Sequence, residues 1–376
     1  MMIMEDVIQP LVYMIEPMQS WQIFLQQHGA VGIDPQTHAI GGFASTVAAV
    51  PPATDFVVPL TEFGLIAAAG ADASTFLHNQ LTNDVDHLTF DQVRLAGYCT
   101  PKGRLLATFL LWKSNESIYL QLPRALQPTI QKRLQMFIMR SKASLTDASE
   151  RQIQLGLVGQ TASALLTNWF PALPATPYSK VDGPAGSLLR LADAPAADGA
   201  SANDFGAPRY LWITDSDTAQ SAWPILTERL QPAGGAAWRL AEIRAGIPMI
   251  TVATQEKFVP QMVNFEAIGG VNFQKGCYPG QEIVARSQYL GKLKRRMMPA
   301  TVAAADVAPG TEIFAENDPR TSLRYGGQCR AGRRWQRMPG RNQAWCVDVG
   351  RAPGSHRWPA VALPRLAVRP GRRRPA

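Results

Sequence analysis

The sequence has few of the residues that build disulfide-stabilised or metal-rich folds. Only four of its 376 residues are cysteine and five are histidine, so a disulfide scaffold is not expected and the cytoplasm is the predicted compartment. No Cys-x-x-Cys pair or His/Cys cluster has zinc spacing, and no permanently bound metal is predicted. The chain also lacks a G-x-G-x-x-G after a strand and a G-x-x-x-x-G-K-[ST] loop, which excludes the common nucleotide-binding motifs.

Long apolar runs are also missing. The run at residues 105–112 is far shorter than the roughly 18 residues of a membrane helix, and the first six residues lack the basic and then apolar layout of a secretory signal. We therefore predict no membrane partner. Hydrophobic residues make up 46% of the chain and charged residues 18%, enough to form a core. The length suggests two or three domains, at roughly 100–200 residues each.

The net positive charge of the chain comes entirely from its end. Residues 320–376 hold 14 arginines, no lysine and one acidic residue, a net charge of +13, whereas the 23 basic and 28 acidic residues before them give −5. Three interpretations compete: a shifted reading frame in GC-rich DNA, a solvated end without a role, or a disordered arm that neutralises nucleic-acid phosphates. The absence of lysine favours the frameshift, and no functional residue is assigned to this tail.

The hydrophobic pattern predicts an α+β chain. Helical spacing or helix start and stop signals occur at residues 18–28, 73–81, 128–138, 161–169, 218–230 and 237–246. Strand-like runs occur at residues 63–67, 153–158 and 209–214, and the turn 101–103 indicates a hairpin over residues 97–112. Asp72 can cap the second helix. The elements do not alternate as regular βαβ units, which favours α+β over a doubly wound sheet.

The octapeptide KGCYPGQE at residues 275–282 is the segment that most strongly indicates a reactive or ligand-binding site. Cys277 precedes a predicted helix that begins at Pro279 or Gly280, and Lys275 lies two residues before it. The positive end of a helix dipole and a nearby ammonium both favour thiolate, the form that acts as a nucleophile or metal ligand. The alternative is an unreactive cysteine buried at a tight turn.

Positive side chains follow the octapeptide. Arg286 and residues 292–296 form a basic run, which is either a solvated surface or a site for a polyglutamate tail, RNA or an acidic partner. Cys99 is distant in sequence and is expected in the core. A single cysteine cannot hold an iron–sulfur cluster permanently, which leaves transient bridging to a partner's cluster.

The octapeptide resembles the hallmark of the YgfZ proteins, bacterial folate-binding relatives of the glycine-cleavage T-protein, an aminomethyltransferase. Further similarity follows the same order in FLHNQLTNDV at residues 76–85, CTPKGR at 99–104, residues 238–248 and FVPQ at 258–261. The resemblance spans residues 60 to about 318. The resemblance therefore covers most of the chain before the arginine-rich tail.

This resemblance implies a T-protein-like fold of several parts, with ferredoxin-like αβ structure around a central folate channel and a small C-terminal β-barrel. The predicted boundaries are an N-terminal helix and loop extension at residues 1–59, a first folate-binding αβ region at 60–150, a second αβ region with the octapeptide at 151–290, the start of the barrel at 291–319 and the tail at 320–376. Because the tail replaces barrel sequence, the barrel is expected to be incomplete.

The resemblance also implies a function. It suggests a tetrahydrofolate-binding accessory protein for the assembly or repair of iron–sulfur enzymes, including those that thiolate tRNA. The family cysteine matches Cys277, which would carry iron, sulfur or a disulfide. The folate-contacting aromatic residues match Trp238 and Phe63, although Trp238 also fits simple core packing. Lys275 and Arg286 are further candidates for folate contact.

Two alternative functions stay open. A folate-dependent one-carbon transferase would need the acidic pair that follows the 101–103 turn in the aminomethyltransferases. Ala107 and Thr108 occupy the matching positions, so aminomethyl transfer is not expected, because its acid–base group is missing. An RNA-binding module would contact tRNA directly through the basic run and the tail, and its affinity would fall steeply with salt.

Overall fold

Short helices and mostly antiparallel strands build the chain. The computed structural model describes residues 17–45, 54–114, 117–194, 206–290, 295–302 and 309–310, and the strand residues 314–315, 318–322, 342–348 and 366–367. The described residues form seven α-helices: α1 (Pro17–Gln27), α2 (Ala73–Gln80), α3 (Gln127–Gln135), α4 (Gln160–Leu166), α5 (Ser216–Arg229), α6 (Gly235–Arg244) and α7 (Gln281–Tyr289). They form the strands β1 (Ala30–Val31), β2 (Gly42–Phe43), β3 (Phe56–Pro59), β4 (Phe63–Ala69), β5 (Val93–Cys99), β6 (Leu105–Ser114), β7 (Ser117–Pro123), β8 (Ser144–Asp147), β9 (Ile153–Val158), β10 (Lys180–Gly183), β11 (Gly186–Ala194), β12 (Ala207–Thr214), β13 (Gln231–Pro232), β14 (Arg296–Val302), β15 (Phe314–Ala315), β16 (Asp318–Ser322), β17 (Asn342–Asp348) and β18 (Leu366–Ala367).

All the predicted helices are present, with ends within a few residues of those expected from the sequence. One local detail differs. Asp72 precedes α2, but its side chain does not cap this helix. Its Oδ2 instead accepts a hydrogen bond from the backbone N–H of Lys142 at 2.6 Å. Asp72 therefore holds the start of α2 against the segment that leads into β8.

The first sheet has the strand order β5-β6-β7-β4-β8, and all of its pairs are antiparallel. The predicted hairpin forms its β5-β6 pair, and Val93 lies opposite Trp112. Gly103 takes the left-handed conformation (φ 67°) in the connecting turn, which suits a residue without a Cβ. The apolar run of β6 at residues 105–112 is buried on both faces of the sheet.

The second sheet has six strands in the order β10-β11-β12-β9-β3-β13. Within it only β13 and β3 pair in parallel. Strand β3 comes from the segment before residue 60, so the N-terminal part of the chain contributes to this sheet. The side-chain amide of Gln121 in β7 donates to Oε1 of Gln154 in β9 at 2.7 Å, which fixes the two sheets to each other.

Two apolar clusters stabilise this arrangement. The larger contains the first sheet, the facing side of the second sheet and α6, with Trp112 and Trp238 among its members. The smaller lies on the other side of the second sheet, where Trp21 of α1 meets Trp223 of α5 edge to face at 5.8 Å between ring centroids. Each fully buried large apolar side chain contributes about 1.5–3 kcal/mol, so α1 is part of the folded core.

After α7, the structure describes only parts of the chain. Strand β14 pairs antiparallel with β17, and β15 pairs with β16 and β18. No closed barrel is formed by the described strands. Most of residues 320–376 lie outside the described residues, so the frameshift interpretation stays a prediction. No helix among the described residues has the length and apolar character to span a membrane.

Candidate functional site

A cavity lies where the two sheets and the end of α6 meet. The space between its side chains, counted out to the solvent at the opening, is about 540 Å³. Strands β4 to β7 form one wall, and β11, β12 and the segment before β10 form the other. The turn after α6 closes one end with Ile247, Pro248 and Met249. Most of the lining is apolar.

Two charged side chains enter this apolar lining. The side chain of Arg209 from β12 is 1% exposed, and its Nη2 lies 4.0 Å from Oε1 of Glu242 in α6. Arg209 Nε and Glu242 Oε2 have no hydrogen-bond partner although both atoms are buried. Buried polar atoms are nearly always paired, and an unpaired one costs about 1–3 kcal/mol. The two unpaired atoms, one a donor and the other an acceptor, therefore suit a ligand that carries both donors and acceptors.

Burial also changes the acidity of the carboxyl group. Removal from water raises the pKa of Glu242 to about 7, and the charges of Arg209 and Arg239 oppose this rise. Near neutral pH the carboxyl group can therefore exchange a proton. Sequence reasoning missed both Arg209 and Glu242. Glu242 lies one helical turn after Trp238 in α6, and this spacing was the available signal.

Aromatic side chains contribute flat surfaces to the cavity. Phe63, a predicted folate contact, lines it at the start of β4. Tyr178, which sequence reasoning missed, lines the opposite side, and burial raises the pKa of its hydroxyl to about 12. Its backbone is left-handed (φ 64°), a conformation that cannot be read from the sequence.

Trp238 lies behind the cavity wall and is absent from the cavity lining. Its ring is 2% exposed, and the Arg209 guanidinium lies 4.5 Å from the ring centroid. The six-membered ring of the indole packs on Gly156, where an added Cβ would come within 2.6 Å of it. Trp238 therefore supports Arg209 through a cation–π contact, and its direct contact with folate stays a prediction.

Of the two positions that would carry an acidic pair in an aminomethyltransferase, Thr108 lies at this site and Ala107 is absent from the cavity lining. Ala107 is fully buried in β6. Thr108 lines the cavity, and its hydroxyl is held by the backbone of the loop after α6, 3.2 Å from the N–H of Ile250. Neither position offers a carboxylate. The carboxylate of the cavity comes instead from Glu242, on a different element.

The octapeptide forms a loop on the surface of the first region. Cys277 is exposed, and α7 begins four residues later at Gln281 after Gly280, whose backbone is left-handed (φ 83°). Gly280 packs directly on the hairpin turn, because an added Cβ would lie 2.4 Å from the carbonyl oxygen of Thr100 and 2.7 Å from the N–H of Gly103. Only glycine fits this position.

Lys275 attaches the same loop to α2. Its Nζ donates to the carbonyl oxygens of His78 at 2.5 Å and Leu81 at 2.9 Å. Carbonyl groups at the C-terminal end of a helix have no partner within the helix, so the ammonium satisfies them. The ammonium also lies 4.7 Å from the ring centroid of Tyr278. Burial lowers the pKa of Lys275 to about 8, against the opposing charges of Asp84, Asp86 and Cys277.

The predicted site residues therefore fall into two groups. Phe63 lines the cavity, whereas Cys277, Lys275 and Arg286 are absent from its lining. Lys275 is engaged at the end of α2, and Arg286 is exposed on α7. Cys99 is buried as expected, and burial raises its pKa to about 12. Within the described residues, no group of three His, Cys, Asp or Glu side chains could hold a metal ion.

Comparison with known proteins gives a consistent result. The chain is 33% identical over 245 residues to the tRNA-modifying protein YgfZ of Colwellia psychrerythraea, covering 64% of this chain and 70% of that protein. It is 33% identical over 253 residues to the same protein of Edwardsiella ictaluri, covering 66% and 72%. It is 31% identical over 249 residues to that of Escherichia coli, also covering 66% and 72%. No family model matches.

The fold matches a solved structure. The aminomethyltransferase T of the glycine cleavage system from Bartonella henselae aligns over 89% of both chains, with a TM-score of 0.68 and 15% identity. At this identity the match concerns the fold alone. The predicted T-protein-like α+β fold is therefore confirmed for the described part of the chain.

Proposed function

The chain belongs to the family of the tRNA-modifying protein YgfZ, and on that premise we propose that it is a tetrahydrofolate-binding accessory factor for iron–sulfur enzymes, among them enzymes that thiolate tRNA. Its relatives carry the tRNA-modifying name, and its fold is shared with a glycine-cleavage aminomethyltransferase. The proposal has two parts, a folate site in the cavity and a working thiol at Cys277.

The observation that carries the folate part is the pair of unpaired buried atoms, Arg209 Nε and Glu242 Oε2, in a cavity with aromatic walls. A pterin ring is flat and apolar on its faces, and its edge carries N–H donors and a carbonyl acceptor. Glu242 would accept from the donors, Arg209 would donate to the acceptor, and Phe63 and Tyr178 would contact the ring faces. The residues present therefore fit the ligand.

The thiol part rests on the exposure of Cys277. An exposed thiol on a loop fixed to two rigid elements can meet the cluster of a partner protein without rearrangement of the core. We propose that the Cys277 thiolate acts as a transient ligand to iron of a client cluster. The thiol proton passes to solvent, the thiolate sulfur bonds to an iron in place of a ligand that this iron releases, and no electron transfer is required.

The folate part is tested by titrating tetrahydrofolate into the purified full chain and into a Glu242→Gln variant. Loss of a charge-assisted hydrogen bond of about 1.5–3 kcal/mol lowers affinity at least about tenfold. Glu282→Gln, an exposed change in the first turn of α7, serves as the control and should bind normally. Equal affinity of wild type and Glu242→Gln would contradict the assignment of the pterin to this cavity.

The thiol part is tested in bacteria that lack their own family member. Cys277→Ser and Cys277→Ala should both reduce the thiolated-nucleoside content of tRNA, whereas Gln288→Ala, an exposed change on α7, should restore it. Full activity of both cysteine variants would remove the thiol from the proposal and leave folate binding as the remaining role.

One observation favours a second candidate, a folate-dependent one-carbon transferase. The usual acidic positions are Ala107 and Thr108, but Glu242 places a proton-exchanging carboxyl in the cavity. Such an enzyme would transfer the methylene carbon of an S-aminomethyl donor to tetrahydrofolate, with release of ammonia and of the donor as a free thiol. Ammonia release that Glu242→Gln abolishes would support this candidate, and its absence with an S-aminomethyl dihydrolipoyl donor would argue against it.

A further inference from the structure

A chain of hydrogen bonds fixes the orientation of a glutamine in the cavity wall, and the proposed function does not use this residue. The side-chain nitrogen of Gln154 in β9 donates to the backbone carbonyl oxygen of Phe63 at 3.2 Å. A carbonyl oxygen only accepts, so this contact determines which end of the Gln154 amide is its nitrogen. Oε1 of Gln154 in turn accepts from the side-chain nitrogen of Gln121 in β7 at 2.7 Å. The nitrogen of Gln121 is therefore directed into the protein.

The side-chain oxygen of Gln121 is left for the cavity. Within the described residues this Oε1 accepts from no donor, yet it is not one of the fully buried atoms that lack a partner. Because Gln121 is buried apart from the surface with which it lines the cavity, the accessible oxygen faces that space. Reversal of the amide would set two acceptors against each other beside the buried Gln154, where water cannot pair them, so the hydrogen bonds keep Oε1 on the cavity side.

Gln121 lies in the wall opposite to the two charged groups of the cavity. Strand β7 belongs to the first sheet, whereas Arg209 and Glu242 come from β12 of the second sheet and from α6. In the proposed site these two residues take the edge of the pterin that carries its amino group and its carbonyl. The other half of the pterin, with the ring nitrogens N5 and N8, is left for the wall that contains Gln121.

We propose that Gln121 accepts a hydrogen bond from a ring N–H of tetrahydrofolate and thereby selects the reduced pterin over the oxidised one. This inference rests on the proposed folate site. In tetrahydrofolate N5 and N8 each carry a hydrogen and are donors, whereas in folic acid both are acceptors. A site built to accept from a ligand N–H rejects a ligand that lacks it, because the buried acceptor is then left unpaired. Gln154 is a positioning residue, because it acts through Gln121.

The test compares the affinities of the purified full chain for tetrahydrofolate and for folic acid, measured by calorimetric titration without oxygen. Methionine has a similar length to glutamine but no strong acceptor. In Gln121→Met we expect the affinity for tetrahydrofolate to fall about tenfold, while that for folic acid stays the same or rises. The ratio of the two affinities therefore falls at least about tenfold. Gln288→Met, the same replacement at an exposed position of α7, is the matched control and should keep the wild-type ratio.

A second variant, Gln154→Met, leaves the lining residue in place and removes only the group that orients it. The amide of Gln121 is then free to turn its nitrogen to the cavity, so the ratio should fall here too, by a smaller factor. Unchanged ratios in Gln121→Met and Gln154→Met, with circular dichroism equal to wild type, would overturn the selection of the reduced pterin. An equal loss of affinity for both ligands in Gln121→Met would also overturn it, because the glutamine would then only shape the cavity.

Glu242→Gln distinguishes failure of this inference from failure of the proposed folate site. Both pterins carry the same amino group and the same neighbouring N–H, so loss of the carboxylate should weaken the two ligands alike. If Glu242→Gln weakens binding but the two glutamine variants keep the wild-type ratio, the folate site stands and the selection by Gln121 is overturned. If Glu242→Gln binds both ligands as wild type does, the folate site itself is contradicted, and the inference fails with it.

Discussion

Replacement of Gly280 by alanine should disrupt the packing of the octapeptide loop against the hairpin turn. The backbone of Gly280 is left-handed (φ 83°), and an added Cβ would meet backbone atoms of Thr100 and Gly103 at 2.4 and 2.7 Å. Backbone atoms cannot rotate away as a flexible side chain can. The variant therefore combines an unfavourable backbone conformation with a steric clash, and the loop that carries Cys277 must move.

Two other glycines separate these effects. Gly269 also has a left-handed backbone (φ 80°), but an added Cβ there would have no neighbour within 4 Å. Gly269→Ala should therefore cost only the conformational energy, about 1–2 kcal/mol. Gly276 is not among the left-handed glycines, and its added Cβ meets nothing closer than 3.7 Å, so Gly276→Ala should stay within about 0.5 kcal/mol of wild type.

Gly280→Ala adds an overpacking cost of about 1–3 kcal/mol to the conformational cost, which gives a total of about 2–5 kcal/mol. The free energy of unfolding is measured by urea titration of all three variants and wild type. Alkylation of Cys277 in the native state reports whether the loop has moved. If Gly280→Ala costs no more than Gly269→Ala, the contact between the loop and the turn is not close, and the reasoning is refuted.

Three further changes test the interior of the molecule. Because the pKa of Glu242 is raised by burial from 4.5 to about 7, its contribution to stability is complete below pH 4.5 and is lost as the pH rises through 7. Glutamine does not titrate, so Glu242→Gln should abolish this pH-dependent loss of stability, which amounts to up to about 3 kcal/mol. If the free energies of unfolding of Glu242→Gln and wild type change in parallel between pH 5 and 8, the raised pKa is contradicted. Trp238→Leu should lose the contact with Arg209 and part of the ring volume, about 2–4 kcal/mol, measured by urea unfolding against Trp238→Phe, which should lose less. Lys275→Met should leave two carbonyl oxygens at the end of α2 without their donor and cost about 2–3 kcal/mol, and a change below 0.5 kcal/mol would show that these hydrogen bonds add little.

Most of the fold could be predicted from the sequence because its signals are local. The stop at Gly246 after α6 and the turn at residues 101–103 depend on residues next to each other in the chain. Asp72 shows the limit of such signals. Its position before α2 is typical of a cap, but Lys142, far away in sequence, provides the N–H that it accepts.

The site was less predictable because its parts meet only through tertiary structure. Cys277 could be identified from the octapeptide, and Phe63 from family resemblance. Arg209 and Glu242 could not be paired from the sequence, because β12 and α6 come together only through the second sheet. Trp238 was recognised as an aromatic residue of the site, but the sequence could not tell that Arg209 lies over its ring.

The positions of the strands along the chain determine the order in which the two sheets can form during synthesis. The first sheet uses only residues 63–147, a continuous stretch that can pair while the ribosome is still adding the rest. The second sheet needs β3 near the start and β13 near residue 232, so β3 must wait until β9 and then the later strands emerge. Local pairings form faster than distant ones. One side of the cavity is thus ready during synthesis, and the other closes over it once the nascent chain has passed the turn after α6, which supplies Ile247, Pro248 and Met249.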